Sequence, residues 1–449
     1  MKETLFEIGE KLLSRSYQNN IDQAEIYLES VERKNLRVVN GSVGTAKQIV
    51  NQGVGIRTAI KKQLGFSYAT TLSLEDCIDI LEKSATLARV SDETPTFVEF
   101  PGKSSSYPHV SGLYDRAIAE LTSEELSELL YRAIEENQSC FANQETIIYG
   151  SLETATKTIA ILNTNGILAH NETTRIMLSI DSTLRKFGEQ LDSSETQYGT
   201  RLTDIDPEWI GRKAAENTFR MAGPKPVENK QMPIILSPLT LRSVFRDGLT
   251  PAINAENYAV GQSYLNGLLG SQIASEQLVI VDDGTLEGGY NSSPFDGEGT
   301  PSRRTEVLTG GVLKNLLHSS YTASASDSTS TGNAVRESYS TPPAVGCTNL
   351  RVQPRRGTLD DLFSEIDEGI YCHFALDYPD QLTGDISALI LEGFLVIDGE
   401  IQHPLKNTFF VVNMCDLLKR VVSIGNDTRM LEGIVSPSIL IDSVDIVSE

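Results

Sequence analysis

Polar and apolar positions follow two different repeats over the first 90 residues of the chain. Apolar residues three to four positions apart predict a helix over Glu3–Ser16. Between residues 24 and 69, apolar and polar residues alternate along the chain, which is typical of strands in an antiparallel meander. A further helix is predicted after Ser73, where Asp76 stands in the position of a capping box. The pattern therefore predicts a small α+β domain over residues 1–90.

A second unit of the same kind follows an irregular stretch. Residues 91–121 contain prolines and a run of serines, and they predict a crossover linker. Thr122, with Glu125 three positions later, has the spacing of a capping box at the start of a helix. Alternating runs then predict strands, and Pro207 opens a final helix. These features predict a central α+β domain over residues 122–222.

The remaining half of the chain is dominated by short apolar or alternating runs. Few stretches have a helical repeat, and Met414–Val422 is one of them. This pattern predicts a large mixed or antiparallel β domain with few helices over residues 227–449. The fold class is therefore α+β, with small N-terminal helix and antiparallel-meander domains followed by the large β domain.

Composition and charge exclude several classes of function. The chain has 449 residues, a formal net charge of −23 and a pI near 4.7. Nucleic-acid binding needs clustered lysine and arginine to neutralise phosphates, so we expect no nucleic-acid partner. No run of about 18 apolar residues occurs, and we expect no membrane span.

Cysteine usage and the N-terminal segment indicate the compartment. Five cysteines are spread along the chain without a C-x-x-C pair, which is typical of reduced thiols rather than of a disulfide framework. Acidic residues interrupt the apolar positions of the first helix, so this helix does not have the pattern of a signal peptide. Both observations predict a cytoplasmic protein.

A glycine-rich stretch from Asp282 to Gly311 lies inside the predicted β domain. Loops of this length are either functional or plain surface connections, and composition alone leaves both interpretations open. Its carboxylates, with Asp296 and Glu298 among them, could form a site for a hard cation. They lack the D-x-D-x-D-G spacing of such sites, and a structural role in turns is favoured.

This stretch and several other segments resemble the TldD/PmbA family in order and spacing. The segments that carry the resemblance are Gln52–Arg57, Gly261–Ser263, Asp282–Gly284, Ser293–Gly299, Ser330–Ala334, Thr383–Ser387, Glu392–Gly393 and Ile424–Asp427. Each is weak alone, but together they extend over nearly the whole chain in one collinear order. The first of them resembles the family's early G-x-G-x-R hairpin.

A zinc-binding motif distinguishes the two branches of the family. The TldD branch is similar to zinc metallopeptidases, with a helical HExxxH motif and a later cysteine as third ligand, whereas the PmbA (TldE) branch lacks this set. Here the predicted helix Ser237–Arg246 contains no histidine, and no cysteine follows Gly425–Asp427 closely. The chain therefore resembles the PmbA branch. This implies no zinc site and no cofactor of its own.

The resemblance also implies a partner and a substrate. A PmbA-like chain would be the non-catalytic partner of a TldD-like zinc peptidase, or would pair with itself as a homodimer, and would help to trim unfolded peptides. The hydroxyl-rich segment Ser319–Asn333 would be a mobile cover over the peptide cleft or a simple flexible loop. The residues expected to line the cleft are Gly284, Ser293, Phe295, Asp296, Glu298, Gly299, Thr331, Gly332 and Asn333.

Two other functions stay open at the level of the sequence. The chain could be a peptidase in its own right, with a metal bound by residues distant in sequence. The neighbours Cys372 and His373, with Cys415, would then be the first ligands to test, although adjacent residues of a strand point to opposite faces. It could also be a non-enzymatic modulator or binding protein.

Overall fold

The computed structural model describes residues 2–142, 144–186, 188–376 and 378–448. The first half forms one six-stranded antiparallel sheet in the order β3-β2-β1-β4-β5-β6. Its strands are β1 (Gln23–Val39), β2 (Ser42–Ile60), β3 (Gln63–Ala69), β4 (Thr146–Asn163), β5 (Leu168–Lys186) and β6 (Glu189–Gly199). Its helices are α1 (Lys2–Gln18), α2 (Leu74–Val90), α3 (Arg116–Ala119), α4 (Ser123–Phe141) and α5 (Pro207–Arg220).

Helices cover one face of this sheet. Even-numbered residues of β1, such as Ile26 and Leu28, pack with α1 and α2 in one apolar cluster. Leu36 and Val38 pack with α4 and α5 in a second cluster. Since side chains alternate across a strand, the odd-numbered residues of β1 face the opposite side, towards the C-terminal half.

The sheet crosses the boundary that we predicted at residue 90. Strands from residues 23–69 and 146–199 pair side by side, because β1 pairs with β4 from Glu25 to Val39. The division into domains at residues 90, 122 and 222 stays a prediction. The shared β1–β4 pairing means that the first two segments contribute to a common sheet.

The C-terminal half contains fifteen further described strands, and this confirms the predicted large mixed β domain. In chain order they are β7 (Lys230–Leu236), β8 (Ile280–Asp283), β9 (Arg304–Thr309), β10 (Val312–Leu313), β11 (Ala334–Val335), β12 (Ala344–Val345), β13 (Leu350–Val352), β14 (Glu368–Leu376), β15 (Asp385–Ile397), β16 (Glu400–Pro404), β17 (Thr408–Asn413), β18 (Val421–Ile424), β19 (Arg429–Leu431), β20 (Ile434–Ser436) and β21 (Ile439–Ser448).

Five of these strands close into a barrel. The order β14-β7-β21-β17-β15 returns on itself because β14 also pairs with β15. The β7–β14 pair is parallel and the other pairs are antiparallel. A second sheet, in the order β10-β9-β8-β13-β20-β19, packs against the barrel through a common apolar core. Its short strands and their connections carry the glycine-rich stretch towards the first half of the molecule.

Few helices accompany the C-terminal strands. In the described part of the chain they are α6 (Pro238–Ser243), α7 (Thr250–Ala252), α8 (Ala255–Ala259), α9 (Ser320–Ala325), α10 (Leu359–Ser364) and α11 (Met414–Lys419). A π-helical turn, Val244–Leu249, joins α6 to α7 without a break. None of the described helices combines the length and the apolar character that crossing a bilayer requires.

Two local predictions of helix starts have different outcomes. Thr122 and Glu125 form the predicted capping box, with the Glu125 N–H donating to the Thr122 hydroxyl at 3.2 Å. The second helix begins after Ser73 as predicted, but the Ser73 side chain makes no cap bond to a described residue. Its backbone is hydrogen-bonded instead, since the Cys77 N–H donates to the Ser73 carbonyl at 3.0 Å.

Candidate functional site

The helix-free face of the first sheet is the floor of a groove under the C-terminal loops. Odd-numbered residues of β1 align with odd-numbered residues of β2, β4 and β5, so one continuous surface crosses four strands. Two connected chambers of about 560 and 440 Å³ lie on it. The loops around Tyr290–Gly297 and Ala334–Glu337 form the opposite wall.

A buried cluster of four charged residues closes one end of the groove. Arg57 of β2 donates to Glu25 of β1 at 2.6 and 2.9 Å and to Glu298 of the glycine-rich stretch at 3.0 Å. Arg336 donates to Glu25 Oε1, which also accepts from Arg57, and to the Gly297 carbonyl, the latter at 2.8 Å. All four side chains are buried or nearly so. This ion cluster joins the first sheet to the C-terminal loops.

The environment of the cluster determines its protonation. Burial lowers the pKa of Arg57, but the charges of Glu25 and Glu298 outweigh burial and raise this pKa. Burial raises the pKa of Glu298, yet Arg57 and the Ser320 N–H, which donates at 2.9 Å, together lower it. Near neutral pH, Arg57 and Glu298 are therefore charged and attract each other.

Two glycines let the C-terminal loops reach the sheet next to this cluster. Gly53, Gly55 and Arg57 occupy every second position of β2, so they share the groove face. A Cβ atom at Gly55 would overlap the Tyr339 carbonyl oxygen, and one at Gly53 would overlap the Tyr339 ring and the Ala69 carbonyl. The G-x-G-x-R segment thus combines close backbone packing with a buried cation on one face of a strand.

Carboxylates of the glycine-rich stretch hold its loops together. Asp282 accepts hydrogen bonds from the Asn333 amide at 2.6 Å and from the Thr348 N–H and hydroxyl at 2.8 Å. Burial raises the pKa of Asp282 to about 6 despite these donors. Asp296 accepts from three backbone N–H groups, those of Glu298, Thr300 and Ala334. Burial and the nearby charge of Glu298 raise the pKa of Asp296.

The structure brings part of the predicted cleft set to the groove. Ser293, Phe295 and Asp296 line the smaller chamber. Glu298 belongs to the ion cluster. The other predicted residues are not among the described residues that line the two chambers. They form hydrogen bonds within and around the loops: Gly284 with Arg303, Gly299 with Tyr107, Thr331 with His318, Gly332 with Ser330 and Asn333 with Asp282.

The hydroxyl-rich segment contains the short helix α9. Ser319 caps this helix by accepting from the Thr322 N–H at 3.3 Å, and the next residue, Ser320, binds Glu298. The segment's first residues are thus fixed to the ion cluster. The segment therefore includes a short helix and is not a continuous loop, whereas its role as a mobile cover over the cleft stays a prediction.

Several groove residues were not predicted from the sequence. Arg33 of β1, Ala155 of β4 and Arg175 of β5 line both chambers. Tyr290 and Glu432 enter from the C-terminal half. The alternation of Glu25, Tyr27, Glu29 and Arg33 along β1 was the available signal, because polar residues at every second position of a strand mark a face that lies outside the apolar core.

The helical segment Pro238–Ala252 carries cations on its accessible side. Arg242 and Arg246 lie 3.0 and 3.5 Å from the Glu432 carboxylate. The π-helical turn falls in the middle of this segment, and such turns are frequent at functional sites. Among the described residues, no group of three or more histidine, cysteine or acidic side chains has an arrangement that could hold a metal ion.

The adjacent Cys372 and His373 point to opposite sides of β14. Cys372 lies in the apolar core with its sulfur 3.5 Å from the Thr240 hydroxyl. His373 is on the other side, where its ring nitrogens lie 3.2 Å from the Tyr371 hydroxyl and 3.9 Å from Glu392. Burial, with smaller contributions from nearby cations, lowers the pKa of His373 to about 3. The ring is therefore neutral at physiological pH.

Because of Glu392, which lies beside His373, we expect the free energy of unfolding to depend on pH. Burial raises its pKa to about 7 from the ordinary 4.5, so the folded state holds a proton that the unfolded state releases. The stability that this retained proton contributes is fully present below pH 4.5 and is lost as the pH rises through 7. We expect Glu392→Gln to gain about 3 kcal/mol in unfolding free energy relative to the wild type between pH 4.5 and pH 8. Urea denaturation at several pH values measures this gain.

Glu400→Gln is the control, since it removes an exposed carboxylate from the neighbouring strand β16. Wild-type and Glu392→Gln midpoints that move in parallel from pH 4.5 to pH 8 would contradict the prediction.

Comparisons with known proteins place this arrangement in a family. Models described as PmbA/TldA metallopeptidase match three consecutive parts of the chain: domain 1 over residues 24–88, the central domain over 116–222 and the C-terminal domain over 229–448. A metalloprotease TldD homolog of Buchnera aphidicola (subspecies Schizaphis graminum) is 24% identical over 429 residues, which cover 92% of this chain and 87% of that protein.

The other branch of the family is similar as well. Metalloprotease PmbA of Escherichia coli O157:H7 is 26% identical over 289 residues, which cover 64% of this chain and 62% of that protein. The crystal structure of TldE from Thermococcus kodakarensis matches with a TM-score of 0.90 and 21% identity over 99% of both chains. At this identity the structural match shows a common fold.

Proposed function

The chain belongs to the TldD/PmbA metallopeptidase family, and from this premise we propose that it is the PmbA-type, zinc-free partner of a TldD-like zinc peptidase. In this role it binds unfolded peptides in the groove and presents them in the cytoplasm to the active site of the partner. It contributes peptide binding and the enclosure of the substrate, whereas the partner contributes the metal and the hydrolysis.

The observation that carries the proposal is the chemistry of the helical segment Pro238–Ala252. The resemblance to the family puts the zinc-binding histidines on this segment, and the sequence has none there. Arg242 and Arg246 occupy its accessible side and bind Glu432 instead. Cations at these positions repel a divalent metal, and a catalytic zinc usually requires about three histidine, cysteine or carboxylate ligands.

The groove supports the peptide-binding half of the proposal. It is open along a sheet face, with a polar floor and apolar patches from side chains such as Ile49 and Phe295. Linear peptides are recognised by main-chain hydrogen bonds combined with pockets for alternate side chains. The polar residues of the loop wall offer such donors and acceptors.

A long strand edge runs beside the groove. From Val43 to Gly53, the outer side of β2 has no strand partner among the described residues, because β3 pairs only with Val54–Ile60. An unpaired edge of this length accepts an added strand. The barrel of the C-terminal half uses the edges of its strands in its own closure, so β2 is the better place for an extended peptide or for the partner subunit.

Co-expression with a TldD-like subunit tests the proposal. We expect the isolated chain to purify without stoichiometric zinc and without peptidase activity. The purified complex should contain about one zinc ion per heteromer and should cleave an unstructured peptide faster than the TldD-like subunit alone. Elemental analysis and mass spectrometry of the products measure both quantities.

Three outcomes would contradict the proposal. Stoichiometric zinc and cleavage by the isolated chain would make it a peptidase in its own right. A stable homodimer that neither binds the TldD-like subunit nor changes its cleavage would favour a modulator or binding protein. A complex whose cleavage rate equals that of the TldD-like subunit alone would remove the role in peptide presentation.

A further inference from the structure

Three residues in a row across the first sheet form a positively charged cradle on the groove floor. Ala155 of β4 is paired with Arg33 of β1 on one side and with Arg175 of β5 on the other. Neighbouring strands lie about 4.8 Å apart, so the two arginine Cα atoms are separated by roughly 10 Å. Because alanine has the smallest side chain with a Cβ, the space above it is open between the two arginines. We call this row, Arg33–Ala155–Arg175, the arginine cradle.

The cradle lies where the two chambers of the groove meet. Its three residues are the ones that line both chambers. A ligand that extends through the groove therefore passes over the cradle. This central position distinguishes it from cations that line the larger chamber alone, such as Lys47 and Arg37.

Arg175 is a half-buried cation whose described hydrogen-bond and ring contacts are with neutral groups. It donates to the Asn291 side-chain oxygen at 2.8 Å, and its guanidinium lies 4.6 Å from the centre of the Tyr290 ring. Burying a charge without a counter-ion is costly, and an anion that binds there recovers part of this cost. Arg33, which is exposed, forms no ion pair with a described residue.

The acidic residues near the cradle bind other cations. Glu432 is held by Arg242 and Arg246 at 3.0 and 3.5 Å. Glu153 is bonded to the Asn35 amide and lies 3.8 Å from Arg37. In a chain with a net charge of −23, two arginines on either side of Ala155 that form no ion pair with a described residue create a local positive field.

We propose that the arginine cradle binds the carboxylate of a peptide that lies in the groove. A guanidinium presents paired N–H donors that match the two oxygens of a carboxylate, and two guanidinium groups can hold one carboxylate from both sides. The proposal rests on the peptide-binding function proposed above and adds a preference for substrates with a free carboxylate, at the C-terminus or on an acidic side chain.

Calorimetry with matched peptides tests the cradle. The probes are an N-acetylated decapeptide of alanine, glycine, serine and glutamine with a free C-terminal carboxylate, the same peptide with a C-terminal amide, and the amide with one internal glutamine replaced by glutamate. Each is titrated into the full chain and into its complex with a TldD-like subunit, with a metal chelator present so that the complex does not cleave the peptide. We expect the free acid to bind at least tenfold more tightly than the neutral amide.

Variants connect this preference to the cradle. Arg33→Gln and Arg175→Gln should each weaken binding of the free acid at least tenfold and thereby remove its advantage over the neutral amide. Because Arg33 is exposed, its substitution tests the site even where loss of the half-buried Arg175 disturbs folding. Arg132→Gln, which removes a cation from the surface pair with Glu208, is the charge-matched control and should have no effect.

The outcomes separate this inference from the function on which it rests. Equal affinities for acid and amide would overturn the cradle and leave peptide binding intact. Absence of binding for all three peptides, in the chain and in the complex, would overturn both. Tight binding of the glutamate peptide that Arg33→Gln abolishes would support the cradle with a side-chain carboxylate as its ligand.

Discussion

Replacing Arg57 by methionine is expected to lower the free energy of unfolding by about 3–5 kcal/mol. Methionine preserves most of the apolar volume of the side chain, but the change leaves Glu298 buried without a cation in direct contact and leaves Glu25 with Arg336 alone. A buried charge that loses its partner keeps its cost of desolvation and loses the attraction that offset it. Urea denaturation, followed by circular dichroism and by the fluorescence of the single tryptophan, Trp209, measures the loss.

A second substitution tests the origin of this loss. Adding Glu298→Gln to Arg57→Met removes the unpaired carboxylate, so the double variant should be more stable than Arg57→Met alone by 1 kcal/mol or more. Arg132→Met breaks the exposed pair with Glu208 and should cost less than about 1 kcal/mol. Arg57→Met and Arg132→Met variants of equal stability would show that the ion cluster has no stabilising role.

The ion cluster also shows why the site was only partly visible in the sequence. Glu25 and Arg336 are 311 positions apart, and nothing local to either residue indicates the other. The glycine-rich stretch was visible because turn-forming residues act locally, and it carries Asp296 and Glu298 to the groove. The groove floor comes from β1, β4 and β5, whose contribution depends on sheet pairing between distant segments.

Secondary structure was likewise easier to predict where it depends on neighbouring residues than where it depends on pairing between distant segments. The capping box of Thr122 and Glu125 involves neighbours along the chain, and it is present as predicted. The alternating pattern over residues 24–69 predicts the strands of a meander but not their lengths, and the structure has three strands, two of them long. The polar residues at Glu32–Asn35 do not interrupt β1, since β4 pairs with it along this stretch and the groove offers a solvated surface.

Both halves of the family's early hairpin motif contribute to the groove. Arg57 supplies the buried cation, and Gly53 and Gly55 supply the space in which Tyr339 approaches the sheet. The cluster and the backbone contact lie on one face of β2 and bridge the same two parts of the molecule. A disturbance of either should loosen the groove as well as the fold, because the loops that carry Phe295 and Asp296 are held by this bridge.

Replacing Gly55 by valine is therefore expected to destabilise the protein by about 3 kcal/mol or more, and replacing it by alanine by a smaller amount. The new Cβ atom would overlap the carbonyl oxygen of Tyr339, a backbone atom that cannot turn away as the end of a side chain can. The loop must then move off the sheet, and a well-packed contact next to the ion cluster is lost. Thermal or urea denaturation of both variants measures the graded effect.

The same strand provides a matched control for this prediction. At Gly44 of β2, a Cβ atom would meet its nearest neighbour, a side-chain carbon of Val39, at 3.5 Å, which is an ordinary contact. Gly44→Val should therefore change stability little, since β-branched residues suit strands. If Gly55→Val were as stable as Gly44→Val, the close approach of Tyr339 would not be a constraint on this strand. A loss confined to Gly55 would instead show that the second glycine of the motif sets how closely the loops can cover the groove.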